Sequence, residues 1–194
     1  MTYRARCDGR RLARRLRKPT QLQRWKAECA YYKAHRARWP EGPWDAEPDE
    51  VRFTTEAGYP GRMFRSLISG TWNGYVGVPF GHPYWGAREG DALEPDLLAH
   101  GGITYAKRAW WDPRDKHWWF GFDTAHASDF MPAMMGHWPE TLRALMKYRD
   151  LRYVRASVER VAQQMEILRI EADLFARVKA RVVLVKQPTE GPPT

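Results

Sequence analysis

The chain has 194 residues, of which 43% are hydrophobic and 13% aromatic, and its formal net charge at pH 7 is +9. This composition is typical of a folded protein with its own core and excludes an intrinsically disordered chain. No apolar run approaches the roughly 20 residues of a membrane helix, and none follows the basic N-terminus, so we expect neither a membrane span nor a secretory signal. The two cysteines, Cys7 and Cys29, lack metal-ligand spacing, which favours a reducing, cytosolic setting over a disulfide framework.

The positive charge is confined to the first 40 residues. They hold 13 Lys and Arg against two acids, a net charge of +11, which leaves −2 for the rest of the chain. Residues 1–40 are therefore candidates for contact with nucleic acid or another acidic partner, because clustered cations release counterions from a polyphosphate. A solvated arm that only aids solubility fits the same charge pattern equally well.

The residue patterns predict one folded domain between two appendages. The parts are a basic N-terminal helical extension (1–44), a single domain (45–187) and a flexible tail (188–194). The predicted fold class is α+β, a small antiparallel sheet of about five strands packed against a long C-terminal helix. The sheet is expected over 50–125 and the helical part over 139–181.

Local signals divide the extension. Residues 1–18 are expected to form a flexible or nascent-helical arm. Thr20 is a typical N-cap, and the apolar residues that follow at helical spacing predict a helix that stops before Trp39-Pro40. The run 40–48 is a linker because of its prolines and acids, and we expect Trp39 and Trp44 to hold it against the domain.

The clearest strand is 117–123. Period-two alternation places Trp118, Phe120 and Phe122 on one face, which we assign to the core. Earlier strands are expected at 51–55, 62–69, 72–78 and 100–105, the last with Ile103 and Tyr105 on the core side.

Three predicted strands carry glycines among hydrogen-bonding groups on their non-core faces. These faces hold Asn73, Tyr75 and Gly77; His100, Gly102 and Thr104; and His117, Trp119, Gly121 and Asp123. Glycine weakens a strand and usually marks close approach by something else. We therefore expect a concave floor with room for a planar ligand. The alternative is a covered sheet whose glycines receive a loop or another chain.

The candidate ligand-binding residues are the rings placed to stack and the polar groups placed to hydrogen-bond at this floor. They are Tyr75, His82, Tyr84, His100, Thr104, Trp119, Asp123, His126 and Asp129. The Asp123-x-x-His126-x-x-Asp129 spacing would also serve acid–base work or a divalent metal, but it matches no known metal signature. Ser128 lacks the context of a nucleophile elbow, and no phosphate-binding or dinucleotide fingerprint occurs. The sequence therefore assigns no metal ligand, catalytic residue or cofactor.

The last third of the chain has helical periodicity and lacks Gly and Pro between Pro139 and Pro188. We name its apolar residues at steps of three and four the seam: Leu151, Val154, Val158, Val161, Met165, Leu168, Ala172 and Phe175. A continuous helix over 139–181 would be roughly 60 Å long. It must then bend into a hairpin or pair with a second copy, and the missing Gly and Pro favour a homodimer. Its first turns are expected to cover the core face of the sheet, and 181–185 is alternatively a closing strand.

Four separated motifs resemble a widespread family of small proteins encoded in tailed-phage genomes and prophages, generally without assigned function. They are Gly74–Pro83 (GYVGVPFGHP), His100–Tyr105 (HGGITY), Gly121–Asp129 (GFDTAHASD) and Tyr148–Val154 (YRDLRYV). The resemblance covers roughly residues 47–165. Members often have Cys where Thr124 stands and Gly where Ser128 stands; if that Cys is a nucleophile in the family, Thr124 argues against the same catalysis here. The resemblance implies a phage accessory protein that acts in the cytoplasm of a bacterial host, and it implies no chemistry.

Three functions fit these observations. The first is a protein that binds and sequesters a small nucleotide-like ligand or signal, as a counter-defence factor would. The second is a hydrolase with a His/Asp site, with or without a divalent metal. The third is an inhibitor that contacts a host protein or nucleic acid through its basic arm.

Overall fold

The computed structural model describes residues 18–36, 39–66, 68–88, 97–135 and 138–185. Almost all of the predicted arm and the whole predicted tail lie outside these residues. The elements are α1 (Gln21–Arg36), a 3-10 helix (Pro43–Ala46), β1 (Glu50–Thr54), β2 (Pro60–Arg65), β3 (Trp72–Val78), β4 (Tyr105–Arg108), β5 (Trp118–Asp123), α2 (Pro132–Met135), α3 (Glu140–Arg143) and α4 (Leu151–Val185). The predicted α+β class, a five-stranded antiparallel sheet with a long C-terminal helix, is confirmed.

The strand order in the sheet is β1-β2-β3-β5-β4, and every neighbouring pair is antiparallel. The central pair is β3 and β5, whose register runs from Asn73 opposite Asp123 to Val78 opposite Trp118. The bounds of β3 agree with the prediction. Those of β1, β2 and β5 differ from it by a few residues at the strand ends.

The strand predicted at 100–105 is wrong over most of its length. Gly101 and Gly102 have φ angles of +69° and +88°, a left-handed backbone that glycine adopts readily and that a strand cannot contain. The strand begins only at Tyr105. The ring of Tyr105 packs on the opposite face from Ile103, so their predicted common core side is also wrong.

The main core lies between the sheet and α4. The predicted face of β5 is confirmed, since Phe120 and Phe122 are buried in one cluster with Val154 and Val158 of α4. Burial of apolar side chains of this size contributes on the order of 1.5–3 kcal/mol each. Gly74 in β3 allows the close approach, because a Cβ there would lie 2.7 Å from Val158 Cγ2.

The opposite face of the sheet is covered by the protein's own rings. Tyr75 and Trp119 are buried there in a cluster with Trp111. The ring of Tyr75 fills the space above Gly121, and that of Trp119 fills the space above Gly77. The predicted open floor is therefore wrong at these glycines. Gly77 and Gly121 make room for a large ring from the neighbouring strand. Without that room, the ring would be exposed to water.

The continuous helix predicted over 139–181 is also wrong. The helix α3 is a single turn, and the chain then forms a bridge from Lys147 to Asp129, flanked by backbone hydrogen bonds to Ser128 and Phe130. The following helix, α4, has 35 residues and is about 52 Å long. It contains no hairpin, and its helical state extends through 181–185, where a strand was the alternative. None of the described helices is long and apolar enough to cross a membrane.

The predicted helix of the extension is confirmed. Thr20 and Gln23 form a reciprocal capping box, in which Gln23 N donates to Thr20 Oγ1 at 3.2 Å and Thr20 N donates to Gln23 Oε1 at 2.8 Å. The linker is held as expected, since the buried Trp44 stacks on Phe130 with ring centroids 5.3 Å apart. The ring of Trp39 fills the space above Gly70.

Candidate functional site

The structure brings five of the nine predicted ligand-binding residues together at the end of β5. These are His100, Thr104, Asp123, His126 and Asp129. Two others, Tyr75 and Trp119, are buried in the aromatic cluster on the sheet. The last two, His82 and Tyr84, lie in the turn after β3, where His82 Nε2 is 3.2 Å from the carbonyl oxygen of Met165 in α4. We name His100, Asp123, His126 and Asp129 the His–Asp cluster.

Asp129 is the centre of the His–Asp cluster and is completely buried. Its Oδ2 lies 2.7 Å from His100 Nε2 and 3.3 Å from His126 Nδ1, and it accepts a hydrogen bond from the amide of His126 at 3.1 Å. Its Oδ1 accepts a hydrogen bond from Arg149 Nε at 2.8 Å. Burial raises the pKa of Asp129, but the hydrogen bonds from Arg149, His100 and the His126 amide outweigh it and hold the pKa below its usual value. The carboxylate is therefore ionised at neutral pH.

A turn after β5 brings the two halves of the cluster together. Asp123 Oδ1 accepts a hydrogen bond from the amide of Ala125 at 3.0 Å, an arrangement that aspartate favours at turns. The chain then reverses, so that His126 faces back toward Asp123 with 4.0 Å between His126 Nε2 and Asp123 Oδ1. Gly101 lies directly against the His126 ring, and a Cβ there would collide with it. Thr104 completes the edge by donating to Asp123 Oδ2 at 3.3 Å.

Two residues that support the cluster were not predicted. Tyr153, in the first turns of α4, has its hydroxyl 2.9 Å from His100 Nδ1. Arg149 binds Asp129 and stacks over the Tyr153 ring, 4.7 Å from its centroid. The only sequence signal for them was their place in the YRDLRYV motif, to which no role was attached.

The cluster is closed on one side and open on the other. Asp129 is inaccessible, whereas the side chain of His126 is 37% exposed and that of Asp123 is 36% exposed. A buried carboxylate behind a partly exposed imidazole is an arrangement that can move protons or hold a cation.

A second candidate site is a cleft of about 360 Å³ on the face of the sheet away from α4. We name it the arginine cleft. Its walls include Arg52, Phe53, Arg62, Trp111, Arg114 and Trp119. Of the nine predicted residues only Trp119 lies here. The arginines were missed because the faces of the strand that carries Arg62 were ambiguous in the sequence.

Arg62 is an unusual buried cation, with only 2% of the residue exposed. Its Nε donates to Glu50 Oε1 at 3.0 Å, and its guanidinium lies 4.8 Å from the ring centroid of Phe64 and 4.4 Å from that of Trp111. Both Nη atoms are buried and have no hydrogen-bond partner among the described residues. Burial lowers the pKa of Arg62, whereas the charge and hydrogen bond of Glu50 raise it. A guanidinium nevertheless remains protonated in proteins.

One of the two acids that line the cleft, Asp115, already has hydrogen-bond partners of its own. Asp115 Oδ1 accepts from the His117 amide at 2.9 Å and lies 2.7 Å from His117 Nδ1, while Asp115 Oδ2 accepts from Trp119 Nε1 at 3.0 Å. Among the described residues, the guanidinium of Arg62 therefore pairs with a carboxylate only through Nε, which contacts Glu50.

In comparisons with models of protein families, with curated proteins and with solved structures, the chain matches none.

Proposed function

We propose that the protein binds a small nucleotide-like anion in the arginine cleft and sequesters it, as a phage accessory protein acting against a host defence signal would. The observation that carries the proposal is the pair of buried Nη atoms of Arg62, which have no hydrogen-bond partner within the described part of the chain. A buried donor left unsatisfied costs about 1–3 kcal/mol, and more when it is charged. A phosphate or carboxylate group accepts two parallel hydrogen bonds from such a guanidinium edge.

The walls of the cleft suit the planar part of such a ligand. Trp111 and Trp119 line the cleft but are 8% and 4% exposed, so a base stacks on them only once the Trp111 indole has moved; such stacking contributes about 1–3 kcal/mol. Arg52 and Arg114 lie at the rim, where they add attraction for an anion. Because Trp111 covers the Arg62 guanidinium, ligand entry requires this indole to move. A ligand that carries an anionic group and an aromatic ring would bind the Arg62 guanidinium with the first and stack on the tryptophan rings with the second.

Mass spectrometry of the small molecules released on denaturing the purified protein tests this proposal. We expect an unchanged phosphate-bearing aromatic compound. Equilibrium dialysis against nucleoside mono-, di- and triphosphates then gives affinities for the wild type and for Arg62→Lys, which keeps the charge but loses the paired donors. Loss of one bidentate contact to a charged group predicts at least a tenfold weaker affinity. Arg152→Lys, on the exposed side of α4, is the matched control and should bind as the wild type does. Equal binding by Arg62→Lys, or no binding of any nucleotide, contradicts the proposal.

A second candidate function is hydrolysis of the bound molecule, and one observation favours it. His117 lies in the same cleft with its Nδ1 held 2.7 Å from Asp115 Oδ1, which orients the ring for acid–base work through Nε2. The sequence pointed instead to Asp123, His126 and Asp129 for this chemistry, with His100 as a further candidate. Release of a smaller product during incubation with nucleotides, lost in His117→Ala, would establish hydrolysis, whereas unchanged nucleotide supports sequestration.

A further inference from the structure

We propose that the His–Asp cluster binds a divalent transition-metal ion, with His100, His126 and Asp129 as the protein ligands. The site is separate from the arginine cleft, and the proposal does not depend on ligand binding there. One ligand atom from each of the three residues lies within 4.8 Å of the other two. Two imidazoles and one carboxylate are a ligand set that holds Zn²⁺, and with open positions it also suits Fe²⁺.

The geometry already converges on one point. Oδ2 of Asp129 faces His100 Nε2 at 2.7 Å and His126 Nδ1 at 3.3 Å. Metal–nitrogen and metal–oxygen distances of about 2.0–2.2 Å separate neighbouring ligands by roughly 3–3.5 Å. Small side-chain rotations therefore suffice to place an ion between these atoms, where it would displace the hydrogen-bonding proton between His100 Nε2 and Asp129 Oδ2.

The outer contacts are those that metal ligands commonly have. His100 Nδ1 lies 2.9 Å from the Tyr153 hydroxyl, so with an ion on Nε2 the imidazole proton sits on Nδ1 and is donated to that hydroxyl. Asp129 Oδ1 is held by Arg149, and Oδ2 accepts the His126 amide hydrogen at 3.1 Å, so that a second lone pair of Oδ2 faces the two imidazoles and the ion. A ring and a carboxylate fixed from behind in this way lose less freedom on binding.

The local charge permits a cation despite Arg149. The guanidinium contacts the oxygen of Asp129 that points away from the two imidazoles. Asp123 adds a second carboxylate on the open side, 4.0 Å from His126 Nε2. The cluster thus has two carboxylates and two imidazoles against the single positive charge of the Arg149 guanidinium. The partly exposed His126 marks the side from which an ion enters and where water completes its coordination.

Isothermal titration of chelator-treated full-length protein with Zn²⁺ and with Mn²⁺ tests the proposal. We expect one equivalent of Zn²⁺ to bind and to raise the melting temperature. His126→Ala removes the most exposed ligand and should weaken Zn²⁺ binding by at least about 100-fold, and Tyr153→Phe by about tenfold.

The matched control is His117→Ala. The side chain of this histidine is 39% exposed, close to the 37% of His126, and it has its own aspartate partner at 2.7 Å, but it lies outside the cluster. It should leave Zn²⁺ binding unchanged. Asp129→Asn should also weaken Zn²⁺ binding; if this buried variant fails to fold, His126→Ala decides the test, because the His126 side chain is only partly buried. Wild-type protein that binds neither ion, equal binding by His126→Ala, or an equal loss in His117→Ala would overturn the proposal.

Discussion

The carboxylate of Glu47 and the backbone amide of Leu151 are 2.8 Å apart, so a residue of the linker before β1 caps the first amide of α4. The other oxygen of Glu47 accepts hydrogen bonds from the Tyr148 hydroxyl, from Arg65 Nη2 at 2.8 Å and from Trp72 Nε1 at 2.9 Å. One side chain thereby satisfies an open helix end and a buried guanidinium, and it joins the linker, the sheet and α4.

Replacement of Glu47 should destabilise the fold strongly. Glu47→Ala leaves Arg65, whose side chain is fully buried, without this carboxylate, and breaking a buried ion pair in this way costs about 3–5 kcal/mol. The free energy of unfolding from urea denaturation measures the loss. Glu56→Ala, an exposed carboxylate that follows β1, should change it by less than about 0.5 kcal/mol. Similar values for the two variants would show that the Glu47 contacts contribute nothing.

The same carboxylate predicts an acid limit of stability. Burial raises the pKa of Glu47, but hydrogen bonds from Leu151, Tyr148, Arg65 and Trp72 together hold it below the usual 4.5. The folded state thus binds fewer protons than the unfolded chain. Its contribution is fully present above pH 4.5 and is lost as the pH falls through the folded pKa. Glu47→Gln should reduce this part of the pH dependence.

His82 predicts a second pH effect at milder acidity. Burial lowers the pKa of His82, and its contact with the Met165 carbonyl raises this pKa. The positive charge of Arg169 lowers the pKa of His82 further, whereas the negative charge of Glu166 raises it. The net lowering means that stability is fully present above about pH 6.5 and declines as the pH falls below it. Urea denaturation between pH 7.5 and 5.5 should show this decline in the wild type and less of it in His82→Gln. An identical pH dependence in both proteins would rule out His82 as the source.

The sequence predicted the parts of the fold whose residues carry their own periodicity. The alternating rings of β5 identified the core face, and the seam identified the helix that covers it. The break between α3 and α4 could not be predicted, because 144–150 contain neither Gly nor Pro. The helix ends there because Lys147 pairs with Ser128 and Phe130, contacts that are distant in sequence.

The two candidate sites also differ in how far the sequence predicted them. The His–Asp cluster was largely predicted because Asp123, His126 and Asp129 are close in sequence and follow one strand. The arginine cleft was not, because the position of Arg62 depends on pairing with β1, which places it opposite Arg52 and beside Glu50. The predicted open floor failed for a related reason: the rings that fill it come from the neighbouring strand.

Steric fit between β3 and α4 yields a further prediction. A Cβ at Gly74 would lie 2.6 Å from Phe122 Cζ and 2.7 Å from Val158 Cγ2, so Gly74→Ala should destabilise the fold by about 1–3 kcal/mol. The double variant Gly74→Ala/Val158→Ala should lose less than the sum of the single variants, because the smaller helix side chain makes room. Strict additivity in the free energy of unfolding would show that α4 does not press on β3 at Gly74.

The predicted homodimer should be tested at a different part of α4 from the seam. Val158 and Met165 of the seam are fully buried in the protein's own core, so they are unavailable to a second copy. From Ile167 onward, α4 exposes a different apolar stripe, formed by Ile167, Ile170, Leu174 and Val178, each more than half exposed. Exposed apolar stripes of this length usually mark interfaces.

We expect a homodimer that pairs this stripe of α4 with its copy, because steps of three and four match the repeat of helix pairs. Replacing Ile170 and Leu174 with Glu should give a soluble monomer by light scattering at tens of micromolar. Lys179→Glu adds an acid on another face of the same helix segment and should remain dimeric. Both variants should keep the melting temperature of the folded domain, since the stripe lies outside the core. A wild-type protein that is monomeric at this concentration would contradict the prediction, and the stripe would then be solvent-exposed in the isolated protein.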